Sequence, residues 1–339
     1  MNKKLIALAI AGAMAAPLAA HAELTISGKL QAEVVNVDGD GVAAAGGLEG
    51  IQVVDGMEGA SANSGNASAI NVAGSQDLGN GLKGIAKAGF NLWPADHGAR
   101  DFEGRDAYIG LAGGFGTVLI GTMNSPYKAS TVGWDPFLAT SLQARGSSGM
   151  STLHNGYLSN TIAYANTFGA VKFVAGVAVD ESDDEGGPLD VAGEPTPDGE
   201  TDGDHAISAS LNAPIGPVEL ALAYQDNGGE DETAVKAGVK YSTGVFTVAG
   251  QYETLDEGLT NGDHLYLTGS MAMGANTFSL SAGTFSDDSV DEIDEDYVAL
   301  GVKHAFNKAV SAHAGYRMND TDADNTDVNV LTAGMRVGF

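Results

Sequence analysis

The chain ends Val330-Leu331-Thr332-Ala333-Gly334-Met335-Arg336-Val337-Gly338-Phe339. Leu331, Ala333, Met335, Val337 and Phe339 alternate with Thr332, Gly334, Arg336 and Gly338, the period of a strand with one apolar face. The strand runs to the last residue and finishes on an aromatic ring. The opposite end reads as a secretory signal peptide. Lys3 and Lys4 supply the charged start, residues 5–18 the apolar stretch, and Ala20-His21-Ala22 a small-x-small cleavage site. The division expected is a signal peptide over 1–22 and one β-domain over 23–339. An exported chain that closes on such a strand points to a β-barrel of a bacterial outer membrane. A periplasmic or secreted β-protein that ends on a strand is the competing reading.

Composition narrows the choice. The chain of 339 residues has 16 Lys and Arg against 44 Asp and Glu, and no Cys. Two of the lysines lie in the signal, so the remainder carries 14 basic and 44 acidic side chains, a net of −30. That argues against nucleic acid as a partner. Without Cys there is no disulfide framework and no thiolate chemistry. No stretch after residue 22 reaches the ~18 apolar residues that a membrane helix requires. A mean hydropathy near zero suits a barrel in which one face of each strand meets lipid, though a large water-soluble β-protein has it too.

The remainder divides into sixteen strand-like segments, from 24–34 at the start to 327–339 at the end. Short Gly- or Asn-bearing turns alternate with long polar connections at 35–67, 93–104, 124–156, 181–204, 255–262, 287–295 and 319–326, and a shorter one at 226–232. Strict alternation of this kind is the pattern of a transmembrane antiparallel barrel, with tight turns on one side of the membrane and long loops on the other. Alternating strands such as Val235, Ala237, Val239 and Tyr241 against Lys236, Gly238 and Lys240 have an apolar and a polar face. Sixteen strands enclose more volume than side chains can fill, so the polar face is expected inside, against water. Tyr164, Tyr224, Tyr241, Tyr252 and Tyr316 fall near segment ends, where aromatic girdles are expected.

Several motifs add a family resemblance. Gly74-Ser75 and Asp77-Leu78-Gly79-Asn80-Gly81-Leu82 resemble the second-strand pattern of Gram-negative general porins. Residues 104–121 resemble their fourth and fifth strands, Ser125-Pro126-Tyr127-Lys128 and Asp135-Pro136-Phe137 the start of their third loop, and Asn160-Thr161-Ile162-Ala163-Tyr164 their sixth strand. The terminal Phe339 is similar to their last residue. The match is good over the first half of the chain and rests on strand spacing in the second. The resemblance implies an all-β barrel of about sixteen strands whose third loop, here 124–156, folds into the lumen as a constriction bearing Lys128, Asp135, Arg145 and His154. It also implies a homotrimer in outer-membrane lipid and lipopolysaccharide, assembled by the barrel-assembly machinery with Phe339 as its signal, passing ions and small hydrophilic solutes. From length alone, 124–156 could equally be a surface flap.

Such a channel needs no reacting group and no cofactor; pore width and wall charge do the work. His97, His154, His205, His264, His304 and His313 are scattered without ligand spacing, and neither Gly-x-Ser-x-Gly nor a Walker loop occurs. Asp38-Gly39-Asp40-Gly41 and the acids of 320–327 have some calcium-loop spacing but lack the EF-hand Gly and Glu, so solvated turns are expected and no metal site is assigned. Nine cations fall at inward positions: Lys29, Lys83, Lys87, Lys172, Lys236, Lys240, Lys303, Arg317 and Arg336. Acids crowd the loops instead, with eleven in 180–204 and seven in 287–296. Anion-preferring family members carry cations where this chain has Ala69, Ala73 and Ala163. A modest cation preference is therefore expected. A substrate-specific channel for sugars or organic acids, which would show an aromatic slide, and a plugged structural or adhesive barrel are the alternatives.

Overall fold

The computed structural model describes residues 22–39, 49–55, 68–95, 103–146, 148–155, 157–179, 205–228, 232–256, 261–289, 293–323 and 326–339. Residues 1–21, most of the expected signal, and the acid-rich 180–204 lie outside them. The strands are β1 (Ala22–Gly39), β2 (Gly50–Val54), β3 (Ala69–Gly79), β4 (Leu82–Asn91), β5 (Glu103–Gly113), β6 (Gly116–Met123), β7 (Leu158–Phe168), β8 (Val171–Ala178) and β9 (Ala206–Ile215). They continue as β10 (Val218–Asp226), β11 (Thr233–Ser242), β12 (Phe246–Leu255), β13 (Gly262–Met273), β14 (Asn276–Asp287), β15 (Glu295–Ala305), β16 (Val310–Thr321) and β17 (Val328–Gly338). Sixteen of them form a closed antiparallel barrel. The sixteen segments expected from alternation all occur, with ends displaced by a few residues.

The seventeenth, β2, lies inside the connection expected at 35–67. β1 is long, and β3 pairs only with its first part, Ala22–Lys29; β2 pairs with Glu33–Val37 farther along the same edge. The run Ile51-Gln52-Val53-Val54 has the β-branched composition of a strand. Its Val54 joins Val35, Val37 and Val330 in a buried apolar cluster.

Tight turns hold the hairpins at one end. Asn80 and Gly81 both have positive φ, 54° and 77°, the signature of a two-residue type I′ hairpin. The polar residues and the apolar residues separate onto opposite faces. Leu24, Ile26, Leu30 and Val34 of β1 are exposed, whereas Gln31 and Glu33 are buried. In a closed barrel the exposed apolar face is the outer one, and lipid is its solvent.

Exposed rings band both ends of that outer face. Phe115, Phe168, Tyr241, Phe246, Phe306 and Phe339 cluster near the short turns. Tyr224 and Tyr252, nearer the long loops, turn their hydroxyls onto Asp226 and Asp263 at 3.1 and 2.5 Å. A ring in the apolar zone with its hydroxyl on a polar partner suits the membrane–water boundary.

The barrel closes where the chain's two ends meet. β1 and β17 pair from Lys29↔Gly338 to Gly39↔Val328. Phe339 extends the seam, its N–H donating to Gly28 O at 3.0 Å and its carbonyl accepting from Gly28 N at 2.9 Å. The ring lies against Gly28, where a Cβ would sit 2.6 Å from Phe339 Cζ. Only glycine accommodates the terminal ring there.

Candidate pore constriction

Segment 124–156 leaves β6 and turns at once into a short helix, α1 (Pro126–Thr131), started by Pro126 at its first turn. Ser125 caps it, Oγ accepting from Lys128 N at 3.0 Å. The helix is too short to stand alone, and its stability comes from what it touches. Tyr127 N donates to Ser208 Oγ at 3.0 Å, Asn212 Nδ2 donates to Ser130 O at 2.9 Å, and Tyr127 Oη donates to Glu253 Oε2 at 2.8 Å. Ser208, Asn212 and Glu253 lie on the polar faces of β9 and β12. The segment therefore packs against the polar residues of these strands.

A buried polar network fixes its base. Lys236 Nζ donates to Tyr127 O and to His154 Nε2, both at 2.8 Å, and sits 4.0 Å from the Tyr127 ring centre. Ser151 Oγ donates to Glu253 Oε2 at 2.7 Å. Burial pulls the His154 imidazole down to about 3, so it is neutral at ordinary pH. A neutral ring accepting at Nε2 must carry its proton on Nδ1, which lies 3.2 Å from Ser151 O and 3.6 Å from Glu253 Oε2. Each charge in the network has a partner, as burial demands.

The middle of the segment is held by apolar packing. The six-membered ring of Trp134 rests where Gly238 has no side chain; a Cβ there would lie 2.6 Å from Trp134 Cζ3. Ala221 and Ala249 flank it. Phe137, Leu142, Ala144 and Met150 pack on Tyr266, Tyr297 and Ala299. Tyr297 Oη donates to Leu142 O at 2.5 Å. Asp135 organises the turn: its carboxylate accepts from Phe137 N and Ala144 N, both at 2.9 Å, and from Tyr266 Oη at 3.1 Å. Burial raises this carboxyl's affinity for its proton, and those three donors offset the effect only in part.

The positions expected to line a pore have separate fates. Lys236 and Arg317 are buried, Lys236 beneath the segment. Lys87 pairs with Asp106, and Lys240 pairs with Glu219 and lies over the Trp134 ring. Lys83, Lys172 and Lys303 are exposed near the short-turn end. Lys128 donates to Asn155 O at 2.6 Å and sits over the Tyr157 ring. Burial, with Arg145 and Arg105 nearby, holds its ammonium well below the usual range. Arg145 Nε donates to Gln143 Oε1 at 2.9 Å; burial brings its guanidinium only to about 10, so it stays charged at neutral pH.

What the sequence reading did not assemble is a cationic cluster. Lys29 of β1 lies within electrostatic range of Arg336, Arg105 and Arg145. Arg105 stands over the Tyr157 ring at 5.7 Å. Lys87 is paired with Asp106, and Arg317 is buried near Glu33, so neither adds a free charge to the group. Arg105 was absent from the expected wall because the register shift between Ala88 and Phe90 breaks the simple alternation there.

A protein-family profile described as Gram-negative porin matches residues 7–324. The chain is a Gram-negative porin. Among curated relatives, a major outer membrane protein P.IB of Neisseria gonorrhoeae is 31% identical over 191 residues, covering 51% of this chain and 48% of that protein. A P.IA protein of Neisseria meningitidis serogroup B is 33% identical over 147 residues, covering 40% and 37%. The porin thus aligns with half or less of the length of these relatives. In solved structures, the anion-selective porin from Comamonas acidovorans superposes with a TM-score of 0.73 at 22% identity, covering 94% of this chain and all of that one. In vitro folded OmpT of Vibrio cholerae, in its trimer form, gives 0.67 at 13% identity over 94% of this chain and all of that one. At such identities the likeness is one of fold. Family and barrel together place this porin in the outer membrane of a Gram-negative bacterium.

Proposed function

We propose that segment 124–156 occupies the lumen and sets the narrowest point of a passive, water-filled path for ions and small hydrophilic solutes, and that this point favours anions. The cationic cluster carries the reading. It gathers Lys29 and Arg336 from the closing seam, Arg105 from β5 and Arg145 from the segment itself, so wall and loop both contribute positive charge. Selectivity follows the charge nearest the constriction more than the charge of the whole chain. The cation preference expected from the acidic loops finds no support in this arrangement. The superposable Comamonas porin is anion-selective, which agrees with the reading. Purified protein in a planar bilayer should give steps of constant conductance and an anion-selective reversal potential across a molar salt gradient. A barrel that inserts but carries no current would instead be a plugged structural protein.

We also propose a homotrimer embedded in lipid and lipopolysaccharide, in keeping with the trimer form of OmpT, and Phe339 as the signal read by the assembly machinery. Phe339 sits at the seam that joins the first and last strands, with its ring on the lipid side. Phe339→Ser should reduce the amount of assembled trimer several-fold in cells, while channels that do insert conduct normally. Wild-type assembly of that variant would remove the role.

A further inference from the structure

We infer that the tip of segment 124–156 locks the seam that closes the barrel. This deepens the reading of the segment as a constriction and rests on it only where conductance is the readout.

The seam joins the two ends of the chain, so its pairing closes a loop of nearly the whole sequence. Such closure is entropically opposed, and nothing local assists it. Two atoms at the seam act as three-way junctions. The carbonyl of Ala139, at the tip, accepts from Gln31 Nε2 of β1 at 2.5 Å and from Arg336 Nη2 of β17 at 3.1 Å. Oε2 of Glu33, on β1, accepts from Thr332 Oγ1 of β17 at 2.8 Å and from Ser141 N of the tip at 3.0 Å. Arg336 also donates to Leu138 O at 3.3 Å and, through Nε, to Gln31 Oε1. Each junction ties the tip to both strands at once.

The backbone is arranged for this contact. Ala139 has a φ of 63°, a left-handed conformation that a residue with a Cβ rarely adopts, and Gln143 Oε1 holds it by accepting from Ala139 N at 3.0 Å. Gly334 stands opposite Glu33 across the seam, and a Cβ there would lie 2.5 Å from Glu33 Cγ. The missing side chain lets the carboxylate lie over the seam and reach the tip. Gln31 and Glu33 are both buried by the result. A loop that only narrowed a pore would need anchorage to one strand or the other. This one is bonded to the only strand pair made from the chain's two ends.

The test is amide hydrogen exchange of the full-length porin in detergent. Deleting 138–152, or the milder Ser141→Pro, which removes the N–H that reaches Glu33, should raise exchange along the β1–β17 seam by about tenfold or more. The β5–β6 hairpin should exchange as in wild type. Unchanged seam rates, or an equal rise in both places, would overturn the lock. Single-channel conductance of the same deletion separates the two readings. Faster seam exchange with unaltered conductance keeps the lock and refutes the constriction. Raised conductance with a wild-type seam does the reverse.

Discussion

Deleting residues 138–152 should at least about double the single-channel conductance and admit larger solutes, because the narrowest section of an aqueous path in series dominates its resistance. The barrel wall should survive the deletion. Its hydrogen bonds run strand to strand, and none of the ladders from β3 to β17 passes through the segment. What the deletion uncovers is mostly polar: Tyr266, Tyr297, Gln31 and Glu33 would meet water in place of the loop. The base network is partly retained, since Tyr127, Lys236, Glu253 and His154 lie outside the deleted stretch. Ser151 is lost, and with it one donor to Glu253. Trp134 stays seated over Gly238. The expected product is a closed barrel with a wider opening. Unchanged conductance and an unchanged solute size limit, in a variant shown to be folded, would mean that 124–156 does not set the width.

The fold was largely legible because a barrel writes one simple rule many times. Each strand repeats a period of two, and each turn of one parity is short. Even the limits of β6, Gly116–Met123, follow from the Gly113-Gly114 turn and the start of the third loop. The rule failed where a strand did not obey it alone. β2 is too short to be recognised by alternation and exists because β1 offers an unpaired edge.

The proposed constriction was legible only in part. Its limits came from the alternation of short turns and long connections, and its role and its Lys128, Asp135 and Arg145 from the family resemblance. The partners of those residues did not, because they come from strands far away in sequence. Nothing in the sequence singles out Glu253, Tyr266 or Tyr297. Gly238, Gly301 and Gly315 read as ordinary barrel glycines, yet a Cβ at Gly301 would lie 2.8 Å from Phe137 Cε1. A signal was present in retrospect. On β11, β15 and β16 the inward face becomes small or aromatic in mid-strand, where a water-facing wall should stay polar. Such a patch marks where something apolar rests on the inside. Charge misled for the same reason: counting inward lysines treated Lys236, which is enclosed, and Lys29, which joins the cluster, as equals.

Lys29→Gln combined with Arg105→Gln should shift permeability toward cations and reverse the sign of selectivity in molar salt. In molar salt a unit charge about 3 Å from the ion path, one screening length away, is worth about 0.5 kcal/mol, roughly a twofold change in relative occupancy. Two such charges give roughly a fivefold change if they act independently. Salt concentration divides this effect from that of the acidic loops. Fixed charges are screened beyond about 10 Å at 0.1 M and about 3 Å at 1 M. Acids at a wide mouth should therefore influence the pore in dilute salt and fade in concentrated salt, whereas charges lining a narrow section stay close to every passing ion. The wild-type pore should be most anion-selective in molar salt and drift toward cations as salt is diluted. Lys303→Gln is the control, since Lys303 is exposed near the short-turn end and outside the cluster. It should leave the molar-salt reversal potential where it was. A wild-type pore that prefers cations at molar salt, or a double variant that matches wild type there, would show that ions do not pass beside Lys29 and Arg105.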